Sequence, residues 1–278
     1  MPIPLHTTYL PRTYRILAVK RETAMVQTFT LDCSLGAKPG QFLMVWLPGV
    51  DEIPMSVAFD DGKTTRLTFF AVGDMTKELA KLGKGDLLGL RGPFGTHYTW
   101  KPKQRLILVA GGYGAAPMYF VAKEALKDKC RIDMIIGARS KEHLLYIKEF
   151  KAVKGVTLHI STDDGSIGFK GYNVQVLEKL ITDSKILHSP FSIHQVFACG
   201  PERMLKRISE ITAKAKIPSQ LSLERYMKCG YGLCGNCVVD PLGIRLCVEG
   251  PVIDNKTCVK IAEFWKYHRD ALGKRHPF

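Results

Sequence analysis

The sequence lacks the features that would place it in several common classes. No apolar run approaches the roughly 20 residues of a helical membrane span. The N-terminal MPIPLHTTYLPRTYRILAVK has no basic segment leading into an apolar core, so no secretory leader is expected and the expected compartment is the cytoplasm. No run of five or more Lys/Arg residues occurs and no nucleic-acid motif stands out, so the net charge of +14 does not by itself point to nucleic acid. The excess charge is spread along the chain and fits a solvated surface with a few phosphate contacts. Internal repeats and low-complexity linkers are also missing, and the glycine turn at 109–118 does not have the G-x-G-x-x-G spacing of the dinucleotide fingerprint.

What remains is a globular composition, 46% hydrophobic and 24% charged, in 278 residues: room for two domains and a small appendage. Residues 1–100 hold β-rich runs (TYRILAVKRE, MVQTFTLDC, GQFLMVWL, MSVAFDD, RLTFFAVG) broken by Gly, Pro and Asp. A run about every 10 residues predicts a small antiparallel barrel. A short helix is expected over 75–82, beginning beside Asp74 as its N-cap.

The texture changes at Lys101. QRLILVAGGYGAAPMYFVAKEAL reads as strand, tight turn and helix. CRIDMIIGARS and VTLHISTDD supply two more strands, and HQVFACGPERMLKRISEI a fourth with its helix. Strands alternating with helices predict a parallel, doubly wound sheet. In VAGGYGAAPM, Gly111, Gly112 and Gly114 lack a Cβ and would let the backbone approach phosphates, with a helix starting near Pro117 aiming N–H groups at them. A plain strand–helix turn is the alternative. FACGPERML puts Gly200 and Pro201 in a turn at the carboxyl edge of the sheet, where ligands bind, with Cys199 at the mouth or buried as a structural thiol.

A barrel carrying P-x-S, then a domain carrying G-G-x-G-x-A-P and later C-G-P, resembles the ferredoxin–NADP reductase superfamily over about residues 10–215. The resemblance implies a flavin on the barrel and a nicotinamide cofactor on the α/β domain. It assigns Pro54, Met55, Ser56 and Val57 to the flavin wall, and Phe69, Val72, Gly73, Met75 and Thr76 to a second flavin segment whose backbone N–H groups meet the pyrophosphate. Ile53 stands where that family usually has an arginine on the pyrophosphate, which removes one charge-assisted contact. RGPFG (91–95) matches the family's turn between the domains. Gly111, Gly112, Gly114, Ala115, Pro117, Gly200 and Pro201 fall to the nicotinamide cofactor. Asp163 and Asp164 would disfavour a 2′-phosphate, whereas Arg139 would welcome one; the residues leave NAD and NADP open, and the family suggests NAD.

Four of the eight cysteines, Cys229, Cys234, Cys237 and Cys247, have the spacing C-x4-C-x2-C-x9-C. The first three match the plant-type 2Fe–2S pattern, with a fourth cysteine further on. Gly230, Gly232 and Gly235 let the loop wrap and aim N–H groups at sulfurs. Structural zinc takes two close-spaced cysteine knuckles where this loop has one, disulfides do not suit a cytoplasmic chain, and plain core thiols need no glycines between them. The cluster is the preferred reading and these three are its alternatives. Cys258 is a substitute ligand lying outside the glycine-rich loop, while Cys33 and Cys130 read as small core residues.

LSLERYMKCGYGLCGNCVVDPLGIRLCVEGPVI closely resembles the C-terminal segment of the electron-transfer subunits of dihydroorotate dehydrogenase, and YHRDALGKR resembles archaeal members. That family implies an α+β multidomain chain: an FAD-binding β-barrel (1–100), a Rossmann-like NAD-binding α/β domain (101–220) and a small 2Fe–2S domain (221–278). The partner implied is an FMN-containing catalytic subunit that oxidises dihydroorotate, in a heterotetramer of two copies each, with no nucleic acid and no membrane. Glu224 is the candidate catalytic residue, expected near the isoalloxazine or the nicotinamide, with an ion-paired surface glutamate as the alternative; Cys199 is the second candidate. Gamma subunits of hydrogenases and subunits of sulfite reductases share ER-M-KCG-G-CG-C and are the alternative branch. A scaffold subunit with structural zinc is the non-enzyme alternative.

Overall fold

The computed structural model describes residues 10–183 and 192–278; residues 1–9, the first part of the stretch read for a leader, lie outside them. Six strands close an antiparallel barrel: β1 (Arg12–Arg21), β2 (Val26–Leu31), β3 (Phe42–Leu47), β4 (Asp51–Asp60), β5 (Thr65–Phe70) and β6 (Leu87–Phe94), in the order β1-β2-β5-β4-β3-β6. β3 is apolar throughout because both its faces are covered. Leu43 and Val45 enter the barrel core, and Phe42 and Met44 join a second core shared with the C-terminal residues Met227, Cys237 and Cys247.

The strand β6 is missed by pattern alone, since LLGLRGPF carries two glycines and a proline. Its Gly89 has a packing reason: a Cβ there would lie 2.5 Å from Cε3 of Trp46 on the paired strand. Between β5 and β6 lies the helix α1 (Asp74–Leu79), capped by Gly73 and not by Asp74 as expected. The Thr76 hydroxyl accepts from the N–H groups of Val72 and Gly73, at 3.1 and 3.0 Å, and donates to the Gly73 carbonyl.

The second sheet runs through β7 (Arg105–Gly111), the helix α2 (Ala115–Lys127), β8 (Arg131–Ala138), α3 (Ile147–Ala152), β9 (Val156–Thr162), β10 (Phe169–Lys170), α4 (Asn173–Thr182), β11 (Gln195–Cys199), α5 (Glu202–Lys214) and β12 (Ser219–Ser222). These strands pair in parallel in the order β10-β9-β8-β7-β11-β12. In β7, Leu106, Leu108 and Ala110 face one helical layer and Ile107 and Val109 the other, the two-sided burial of a doubly wound sheet.

After β12 the chain forms a short hairpin, β13 (Val238–Val239) with β14 (Ile244–Arg245), and then β15 (Val252–Asp254), which joins the large sheet antiparallel to β12. The single turn α6 (Asn255–Cys258) follows, capped by Asp254, and the hairpin β16 (Tyr267–Arg269) with β17 (Arg275–Pro277) closes the chain. Among the described residues no helix is long and apolar enough to cross a membrane.

Candidate functional site

The two glycine turns at the carboxyl edge of the sheet interlock. β7 ends at Gly111, a 3-10 turn covers Gly112–Gly114, and α2 begins at Ala115, two residues before the expected Pro117. A Cβ on Gly114 would meet the Cys199 backbone, 2.6 Å from its carbonyl carbon, and one on Gly111 would lie 2.8 Å from Pro201 Cδ. A Cβ on Gly200, at φ +150°, would in turn lie 2.9 Å from the Gly111 amide nitrogen. Gly111, Gly114 and Gly200 therefore let two turns touch. Gly112, at φ +54° with nothing near it, faces open space. The side chains of Ala115 and Pro117 are buried and serve packing, leaving the backbone at the start of α2 as the group able to meet an anion.

Tyr113, on the exposed tip of this turn, was not singled out from the sequence. Its hydroxyl lies 2.9 and 2.8 Å from the two carboxylate oxygens of Glu224, 111 residues away. Glu224 keeps solvent-accessible area, yet its carboxyl is crowded by protein, and this desolvation raises it above the usual carboxylate range; the Tyr113 hydroxyl opposes the rise. Cys199 is buried, and burial, with the nearby Glu224 charge, pushes its thiol up to about 12. At neutral pH it is a protonated thiol and no nucleophile. Tyr113 thus joins Glu224, and Cys199 lies close enough to feel the Glu224 charge.

Glu224 is held from behind by a buried ionic network. Arg225 donates to Glu202 at 2.5 and 3.1 Å and to the Glu224 carbonyl at 2.7 Å. Glu202, the first residue of α5, also accepts from the Trp265 amide at 2.8 Å. Glu263, with no exposed area, stands 3.6 Å from Arg225 Nε and 3.7 Å from Arg269 Nε. An ionic cluster this deep holds its members in one arrangement, because any unpaired member would be costly.

On the barrel, Met55 and Val57 point into the core, so their side chains pack the barrel and leave Pro54 and Ser56 on the opposite, half-buried face. Ile53 packs against the same core and offers no cation. Phe69 and Met75 are core side chains as well, Phe69 edge-on to Phe29. Exposed Phe70 and Val72 lead into α1, and the first intrahelical bond is from Lys77 N–H to Gly73 O. The N–H groups of Met75 and Thr76 thus precede the helix's own ladder and suit a pyrophosphate, whereas the Gly73 amide is already taken by Thr76. β5 lies against the 112–114 turn, so the barrel and sheet segments assigned to the two cofactors adjoin.

The four cysteines sort into two pairs. The Cys229 thiol lies beside Cys234, and the Cys237 thiol beside Cys247, close enough to influence one another's ionisation. The amides of Leu233 and Cys234 point at Cys229 Sγ, at 3.3 and 3.5 Å, and that of Gly232 at Cys247 Sγ, at 3.1 Å. Burial alone would raise the Cys229 thiol, but backbone N–H groups outweigh it and hold it at about 7. The Cys247 thiol, opposed by burial, helps bring Cys237 down to about 6, and Cys247 is pushed up in consequence. Two thiol pairs, each with a lowered member and amide donors, suit a dinuclear cluster with two ligands per metal. No disulfide links them, and Cys258 lies apart and fully buried against the Ile253 carbonyl.

Comparison with known proteins agrees with these segments. Residues 108–210 match the oxidoreductase NAD-binding domain and residues 224–258 the iron–sulfur cluster binding domain of dihydroorotate dehydrogenase B. A chain of the NADH-dependent reduced ferredoxin–NADP oxidoreductase superimposes with a TM-score of 0.78 at 28% identity, covering 89% of both chains. The cytochrome b5 reductase domain of Ulva prolifera nitrate reductase, at 18% identity, a TM-score of 0.62 and coverage of 77% and 96%, shares the fold. The probable electron-transfer subunit of dihydroorotate dehydrogenase B (NAD(+)) from Methanocaldococcus jannaschii is 42% identical over 94% of this chain and 96% of its own. Its counterpart from Methanothermobacter thermautotrophicus is 38% identical over 97% and 98%. The chain belongs to the family of dihydroorotate dehydrogenase B electron-transfer subunits.

Proposed function

We propose that this chain links a partner subunit, which oxidises dihydroorotate with its own FMN, to NAD, as two copies of each subunit in a cytoplasmic heterotetramer. FAD sits on the barrel beside Pro54, Ser56 and the start of α1; NAD lies over the 111–115 and 199–201 turns; a 2Fe–2S cluster is held by Cys229, Cys234, Cys237 and Cys247. When bound, the cluster supplies single-electron transfer, NAD accepts hydride, and FAD converts between the two. The chain's own residues do the rest. The interlocked turns fix the backbone that meets the nicotinamide cofactor. Tyr113 and the Arg225–Glu202 pair hold Glu224 at the cleft, where it orients the reacting ring or moves a proton. The amides of Gly232, Leu233 and Cys234 stabilise thiolate sulfur.

The observation that carries this reading is the paired arrangement of the four thiols on a loop packed against the barrel. Leu233, Tyr231, Val248 and Leu242 expose apolar area around that loop, which suits docking of the partner there. The test is reconstitution. Dihydroorotate should reduce NAD only when this chain and the FMN subunit are combined, while this chain alone should oxidise NADH with an artificial acceptor. Turnover of dihydroorotate by the purified single chain would overturn the division of labour.

A further inference from the structure

Arg91 lies within the strand β6 and is buried, at 6% exposure. Its direction comes from a bulge: Phe42 pairs with Phe94 and Met44 with Arg91, so β6 carries one extra residue here, in the Gly92–Pro93 stretch. The guanidinium leaves the barrel through this irregularity and makes four hydrogen bonds. Nε donates to Glu52 Oε1 at 2.5 Å and Nη2 to Glu52 Oε2 at 2.6 Å, a fork on one carboxylate. Nη1 donates to the Cys229 carbonyl at 2.5 Å, and Nη2 reaches the Lys228 carbonyl at 3.3 Å. The plane also lies 5.6 Å from the ring centroids of both Phe94 and Tyr231. Next to Cys229, a Cβ on Gly230 would be 2.9 Å from Met44 Cγ, so the loop rests directly on the barrel.

One side chain therefore joins the barrel, through Glu52 on β4, to the backbone of the first cysteine of the cluster loop. Only arginine has donors in a fork wide enough to hold a carboxylate and two carbonyls at once; lysine offers three donors from a single point. Glu52 balances the guanidinium charge, so the pair presents little net charge to whatever Cys229 and Cys234 hold.

We propose that Arg91 is a positioning residue for the iron–sulfur cluster: it fixes the Cys229 end of the loop at a set distance from the flavin barrel and, with Glu52, keeps the charge beside that end balanced. This rests on the cluster reading above. Potentials of such clusters follow net charge and hydrogen bonding near the sulfurs, so charge and tether can be separated by substitution.

The test uses the full chain with its cofactors, following iron and flavin content, cluster potential by redox titration, and the rate at which NADH bleaches the cluster band. Glu52→Gln leaves the cation unbalanced and should raise the potential. Arg91→Met leaves the anion and should lower it. The double variant should return the potential to near wild type while NADH-driven bleaching stays about tenfold slower, because the tether is gone. Should Arg91→Met fail to fold, Glu52→Gln and Arg91→Lys decide: Arg91→Lys should keep the potential and slow the bleaching. Unchanged potentials in the charge variants, or unchanged rates in Arg91→Lys and the double variant, would overturn the proposal. A wild-type protein without iron would instead overturn the cluster reading.

Discussion

Substituting alanine for Gly114 sets two effects of opposite sign against each other. Gly114 has φ −58° and ψ −13°, a conformation alanine adopts freely. On backbone entropy alone the change would stabilise the chain by about 0.4–1 kcal/mol. The added Cβ would sit 2.6 Å from the Cys199 carbonyl carbon and 3.1 Å from the Gly200 amide, where an ordinary contact begins at 3.4 Å. Both neighbours are backbone atoms, and the Cys199 strand is hydrogen-bonded on both sides, to β7 and β12, so no flexible end can swing away. The two turns must part by close to an ångström, and overpacking of this kind costs about 1–3 kcal/mol. Sterics wins, with a net loss of about 1–2 kcal/mol, or roughly 2–6 °C in thermal midpoint for a chain of this size. The displaced turn carries Tyr113 and faces Cys199, so hydride transfer from NADH should slow in samples held well below the midpoint. Calorimetry and stopped-flow flavin reduction check both. A midpoint equal to or above wild type would refute the contact between the two turns on which the cleft geometry rests.

Tyr113→Phe removes the hydroxyl that holds the Glu224 carboxyl down, so that carboxyl should rise further. A carboxyl already raised in the folded state contributes stability below the ordinary glutamate range and loses it as pH climbs through the raised value. That loss should move to higher pH in Tyr113→Phe and vanish in Glu224→Gln, read by urea midpoints from pH 4 upward; coincident profiles for all three proteins would exclude the coupling. Arg225→Met leaves Glu202 with the Trp265 amide alone and the fully buried Glu263 with Arg269 alone, and should cost about 3–5 kcal/mol in urea unfolding. A loss below 1 kcal/mol would mean that water, not Arg225, solvates these carboxylates. Arg225→Lys should recover only part, since one ammonium cannot reproduce the fork on Glu202.

The parts of this molecule written in local pattern were legible before the structure. The alternating runs of the barrel and the strand–glycine–helix unit at 105–127 each need only neighbouring residues to be read. β6 was missed because Gly89, Gly92 and Pro93 look like turn residues, and their reasons, Trp46 and a bulge, lie on another strand. The N-cap of α1 fell on Gly73 because the Thr76 hydroxyl bonds back to it, a cap made by a residue inside the helix. Met55, Phe69 and Met75 sit in motifs that the family resemblance assigns to the flavin, yet strand alternation and helix phase turn their side chains inward. The cysteine spacing was visible, but not its division into two pairs, which depends on Cys247 folding back across the β13–β14 hairpin. Tyr113 with Glu224, and Arg91 with Cys229, are separated by 111 and 138 residues; both tips were inside quoted motifs, and only tertiary folding gave them partners.

The central claim is that four paired cysteines hold an iron–sulfur cluster, and metal analysis with a visible spectrum of the anaerobically purified chain tests it most directly. The account predicts about two irons per chain and a flavin spectrum carrying a broad iron–sulfur shoulder. Both iron and shoulder should be lost in Cys237→Ser and kept in Cys258→Ser. A colourless protein containing zinc, or iron retained in Cys237→Ser and lost in Cys258→Ser, would contradict it.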